Sequence, residues 1–194
     1  MTRLSVAIRP PAAVVATLAA LPRPPQPRVT WSAPEQWLVK LRPLGHVPAD
    51  LVAPLTDALT AELADVPPAR CALGPATERL AGQWLGAPVA GLDDLGAVVF
   101  DATVGLVPVT HPQPFRADVV LARGRVPAAL AGAPIAAEWV ADRALLVADR
   151  SAPGRVRLDD WRSSCCGAEP GFPGTAPRTG CSSVPSAAWT GNSG

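Results

Sequence analysis

WLVKLR, residues 37–42, and ADVVLAR, residues 117–123, decide how this chain is read. Each contains x-V-x-L: Leu38-Val39-Lys40-Leu41 and Asp118-Val119-Val120-Leu121. Aliphatic, β-branched runs with alternating character and no Gly or Pro predict strands. Arg42 follows the first copy directly, whereas Arg123 follows the second after Ala122. Each copy comes after a helix-bearing stretch of similar length. Two strand–helix–strand units facing one another make a bilobal α+β domain with a groove between the halves.

The neighbouring segments supply the remaining elements. Residues 4–8 read as a buried strand. Residues 12–21 read as a helix with Pro11 at its start, where a missing N–H costs nothing. Residues 22–35 are a proline-rich connection. The strand at 37–41 is expected to end at Pro43 and Gly45. Over 48–64, Leu51, Val52, Leu55, Leu59 and Leu63 recur at helical steps on one face. Residues 70–73 and 84–89 are weaker strand candidates. A helix from 91 to 104 carries the stripe Leu92, Leu95, Val99 and Val104. Asp93 and Asp94 in its first turn complement the helix dipole. Residues 105–114 form a loop, and 117–122, 135–140, 144–149 and 155–161 read as strands. A turn, residues 151–154, separates the last two.

From about Ser163 onward no period survives, and Gly, Pro and Ser dominate. The expected organisation is a domain over 1–162 and a disordered tail over 163–194. A linker, a tail without function and a replaced domain end all stay open for it.

Composition bounds the function. The 194 residues carry 17 basic and 16 acidic side chains, a net charge of +1. That balance excludes a strongly basic nucleic-acid coat while leaving room for a local basic groove. Hydrophobic residues make up 48%, enough for a packed core. Lys40 is the sole lysine, and His46 and His111 are the only histidines. Cys71, Cys165, Cys166 and Cys181 lack the spacing of a zinc or redox site. They read as cytoplasmic thiols. No run reaches the ~20 apolar residues of a membrane span, and residues 12–21 follow Arg9-Pro10-Pro11 rather than a signal-peptide charge.

Several segments, in order, resemble the bacterial 2′-5′ RNA ligase / RNA 2′,3′-cyclic phosphodiesterase proteins, a branch of the two-histidine phosphoesterases. RLSVAIRPP (3–11) resembles their opening strand and turn. PEQWLVKLRPLGHV (34–47) resembles their first signature, normally W-H-V-T-L-R-F-L-G. PVAGLDDL (88–95) resembles the start of their second-half helix, and PFRADVVLAR (114–123) their second signature, P-F-x-P-H-L-T-L-A-R. RVPAALAG (125–132) and ALLVADRSAPGRVRLDDW (144–161) resemble the closing region. The resemblance implies a pseudo-symmetric fold, with antiparallel sheets around a central groove backed by helices. It also implies a monomer acting on RNA ends or nucleotides without metal or cofactor. In the family two H-x-T/S motifs face each other: one imidazole is the general base, the other the general acid. The hydroxyls bind phosphate.

This chain departs from that pattern at all four motif positions. Leu38 and Asp118 stand where the histidines belong, Lys40 and Val120 where the threonines belong. The resemblance therefore implies a catalytically degenerate member that retains binding of RNA ends or nucleotides. An active phosphoesterase using His46 or His111, and a non-enzymatic interaction protein, stay open beside it. Lys40 and Asp118 are expected to neutralise each other across the groove. Lys40, Arg42 and Arg123 are the candidate substrate-binding residues, with Arg116 beside them. For the arginines, phosphate clamping and ordinary solvation both remain open. His46 and His111 read as loop residues. Among Trp31, Trp37, Trp84, Trp139 and Trp161, at least three should belong to the core, while any left exposed could stack bases.

Overall fold

A computed structural model describes residues 1–81, 83–109 and 114–149, and the backbone of 158–165. Among these residues ten strands and three α-helices follow in the order β1 (Thr2–Ile8), α1 (Ala12–Ala19), β2 (Val29–Trp31), β3 (Val39–Val47), α2 (Val52–Leu63), β4 (Ala69–Leu73), β5 (Glu78–Leu80), β6 (Trp84–Ala90), α3 (Asp93–Val104), β7 (Asp118–Gly124), β8 (Ala137–Ala141), β9 (Arg143–Asp149) and β10 (Leu158–Cys165). Among the described residues no helix is long and apolar enough to cross a membrane.

The strands form one curled antiparallel sheet in the order β10-β9-β1-β3-β7-β6-β4-β8. It divides into two halves of four strands, with β2 added to β7 and β5 to β6. The halves meet where β3 pairs with β7 at Val39 and Val119. The short x-V-x-L repeat is thus the pseudo-symmetric centre of the fold. In each half the central strand pairs with the strand preceding its helix: β3 with β1, and β7 with β6.

The two halves repeat a finer detail. Opposite β1, Ala7 pairs with Lys40 and Val6 with Arg42, so Leu41 is an extra residue in β3. Opposite β6, Gly86 pairs with Val120 and Leu85 with Ala122, so Leu121 is an extra residue in β7. A bulge at the same point of both copies bends each strand and reverses its in–out alternation.

A second irregularity in β3 falls at Leu44, between Pro43 opposite Ser5 and Gly45 opposite Leu4. Gly45 has φ +72°, a conformation that favours glycine. Pro43 and Gly45 therefore do not end the strand, as their residue types suggested; they lie inside it, which runs on to Val47. His46 is in consequence a strand residue, opposite Arg3, rather than a loop residue.

The core gathers Leu4, Val6, Ile8, Val39, Leu41, Val119 and Leu121 from the sheet. Val14 and Leu18 of α1 join it, as do Val52, Leu55, Leu59 and Leu63 of α2, the expected stripe shortened by the half-exposed Leu51. Leu92, Leu95 and Val99 are buried as expected. Thr103 is fully buried one position before Val104, which is only partly covered. Helices α2 and α3 pack on each other, α3 also against β3 and α2 against β10, while α1 touches β8. The helices therefore back the sheet, leaving its concave side for the groove.

Two three-residue strands, β2 and β5, have no signature in the sequence. The last strand continues to Cys165, past the expected domain limit at 162. The 151–154 turn, His111, the Trp161 side chain and residues 166–194 lie outside the described residues.

Candidate functional site

At the junction of the half-sheets, Leu38 precedes Val39 and Lys40 follows it, while Asp118 and Val120 flank Val119. Val39 and Val119 point into the core. Their neighbours take the other face by alternation. Antiparallel pairing then sets Lys40 beside Asp118 and Leu38 beside Val120. All four line one open cleft of about 320 Å³, together with Gln36, Arg116 and Arg123. The four motif positions, 80 residues apart as pairs in the chain, form one surface.

Leu38 is the most buried of the four, at 4% exposure. It packs with Ala7, Leu145 and Val147 in a small apolar cluster separate from the main core. The aliphatic side chain completes an apolar floor for the cleft. Gln36, in the single turn Pro34–Gln36, is held by accepting a bond from the Ala33 amide at 2.9 Å.

The polar wall is organised around Arg116. It bonds Glu78 of β5 and lies 3.7 Å from the Asp118 carboxylate. Burial raises the Asp118 pKa above the usual carboxylate value, with Arg116 and Lys40 opposing the shift. The Lys40 ammonium is lowered, first by loss of hydration in the groove and then by Arg123 and Arg3. Asp149 and Asp118 pull it the other way. The expected Lys40–Asp118 neutralising pair is thus not the one formed: among the described residues the ion-pair partner of Asp118 is Arg116. Lys40 is felt there only as a nearby charge. Glu78 carries no signal in the sequence, because the three residues of β5 are too few to display a period.

The two trailing arginines diverge. Arg123 is exposed, lines the cleft and lies 5.8 Å over the Trp84 ring. Arg42 is 6% exposed and faces the opposite side. Its guanidinium donates to Thr103 Oγ1 and to the carbonyls of Phe100 and Val107, and it stacks over Phe100 at 5.0 Å. It serves the C-terminal end of α3, where backbone carbonyls lack partners and a cation is favoured. The assignment of Arg42 to substrate binding is therefore corrected to a structural role. The bulge at Leu41 turns it inward.

His46 does not line the cleft. The residues opposite His46 and Lys40, Arg3 and Ala7, stand four positions apart on β1, which sets the two roughly 13 Å apart at ~3.3 Å per residue. Trp37 is buried, and Trp31 and Trp139 pack against the core. Trp84 remains 43% exposed beside the cleft.

No family model matches this sequence, and no curated protein matches it. Solved structures do. E. coli LigT in its apo form superposes with a TM-score of 0.73 at 20% identity, covering 86% of this chain and 98% of LigT. The chain has the LigT fold. TT0787 of Thermus thermophilus gives 0.71 at 19% identity, over 86% of this chain and 99% of that one. A further structure, described as a phosphoesterase, gives 0.72 at 20% identity, over 86% and 99%. LigT itself has been crystallised with 3′-AMP, NADP+, phosphate and ATP. The LigT-like architecture agrees with the pseudo-symmetric α+β fold expected from the sequence.

Proposed function

We propose that this protein is a catalytically degenerate relative of the 2′-5′ RNA ligase / RNA 2′,3′-cyclic phosphodiesterase proteins, whose cleft binds nucleotides or RNA ends. One observation carries the reading. The four positions that match the family's two motifs converge on a single cleft, and none of them is an imidazole. The cleft retains what phosphate binding requires: Lys40 as a point charge and Arg123 as an exposed planar donor. It lacks the acid–base pair, each member of which contributes typically ~10²–10⁴-fold. We read the protein as a cytoplasmic monomer, with residues 163–194 largely outside the folded domain.

The test has two arms. Calorimetry with 3′-AMP should give binding that Arg123→Ala weakens. Incubation with an RNA ending in a 2′,3′-cyclic phosphate should give no turnover above background. Robust opening of the cyclic phosphate, unaffected by substitution of Leu38 or Asp118, would favour the alternative of an active site built on His46 or His111.

A further inference from the structure

The sole lysine of the chain stands in the cleft, at a position where the resembled motif carries a hydroxyl residue. Between described residues no hydrogen bond or ion pair holds its amine. Around it stand Arg3 and Arg123, which disfavour its charged form, and Asp118 and Asp149, which favour it. Arg116 is already engaged by Glu78 and Asp118, whereas among the described residues Arg123 has only the Trp84 ring under it. The cleft thus offers one primary amine, one uncommitted guanidinium and, beside the amine, a carboxyl whose burial favours its protonated form. A ligand matching all three carries a phosphate for Arg123 and an electrophilic carbonyl for Lys40.

We infer that the cleft captures small phosphorylated aldehydes as an imine on Lys40, with Arg123 holding the phosphate. The Lys40 amine adds to the aldehyde carbon, and as the nitrogen gives up one proton the carbonyl oxygen gains one, which leaves a neutral carbinolamine. Loss of water from that adduct leaves the C=N bond. One water is released, no electrons are exchanged, and Asp118 is the group placed to pass a proton to the departing hydroxyl and to take one back from the nitrogen. Lys40 is exposed to the cleft, so an aldehyde can reach its amine, and the neighbouring Arg3 and Arg123 lower its proton affinity. The inference rests on the reading of the cleft as a phosphate site.

The whole protein is treated with glyceraldehyde 3-phosphate or with glyceraldehyde, each with cyanoborohydride to reduce the imine, and the adduct is mapped by peptide mass spectrometry. The expected result is an adduct on Lys40 in preference to the Met1 amine, formed about tenfold or more readily with the phosphorylated aldehyde. Arg123→Ala should abolish that preference, and 3′-AMP should protect Lys40. Equal labelling by the two aldehydes, or labelling of Met1 alone, would overturn the inference. Calorimetry with 3′-AMP separates the two ideas. Binding of 3′-AMP without selective Lys40 labelling defeats the imine and leaves the nucleotide site standing; absence of both defeats both.

Discussion

Val39 pairs with Val119 across the junction of the two half-sheets, and neither side chain reaches solvent. This contact sets the spacing of everything on the opposite face. If the cleft is a family site emptied of its chemistry, the groups can be restored there. Leu38→His and Asp118→His, combined with Lys40→Thr and Val120→Thr, should raise opening of an RNA 2′,3′-cyclic phosphate at least ~10²-fold over the parent chain. Either histidine alone should fall well short, because base and acid are separate roles. A folded quadruple variant with no gain would count against the degenerate-enzyme reading.

The two arginines should separate binding from stability. Arg42→Ala removes a buried cation that satisfies Thr103 and two carbonyls at the end of α3. It should cost roughly 2–3 kcal/mol in chemical denaturation. Arg123→Ala, at an exposed site, should leave the denaturation midpoint nearly unchanged and weaken 3′-AMP binding about tenfold, an effect that shrinks with added salt. An exchange of these two phenotypes would contradict the placement of both side chains.

Asp118 gives a pH signature. Its pKa is higher in the folded protein than in the unfolded chain, so the folded state holds the proton over the interval between the two values. Stability contributed by this group therefore rises as pH falls through that interval and is complete below the unfolded value of about 3.9. Relative to the parent chain, Asp118→Asn should be more stable at pH 7. That advantage should fade towards pH 4, as followed by urea denaturation at several pH values. An advantage that grew on acidification would mean that the Arg116 contact outweighs burial.

Cys71 should be chemically silent in the folded protein. Its side chain is buried, and burial pushes its thiol up to about 11. Alkylation with iodoacetamide at pH 8, read by peptide mapping, should spare Cys71 in native buffer and modify it in denaturant. Rapid native labelling would show that β4 opens readily.

The long periodic elements were legible because burial writes its period into the residues. Helices α2 and α3, and strands β1, β7 and β9, fall where their apolar patterns put them. The short strands β2 and β5 were not legible. Three residues display no period, and each exists only because β7 or β6 offers it an unpaired edge. With β5 unseen, Glu78 and its hold on Arg116 could not be anticipated either. Pro43 and Gly45 misled for a related reason: both punctuate a free chain, yet a bulged strand accommodates them.

The sequence by itself determined that Leu38, Lys40, Asp118 and Val120 belong to two matching strands, and that no histidine stands among them. Alternation then set each pair on one face. Only the tertiary structure decided what lies beyond. Arg42 and Arg123 differ by one position relative to their repeats, and both strands insert an extra residue just before that point. The bulges reverse the alternation, so one arginine turns into the helix layer and the other into the cleft. A bulge is a property of two paired strands and not of either alone, which is why neither repeat reveals it.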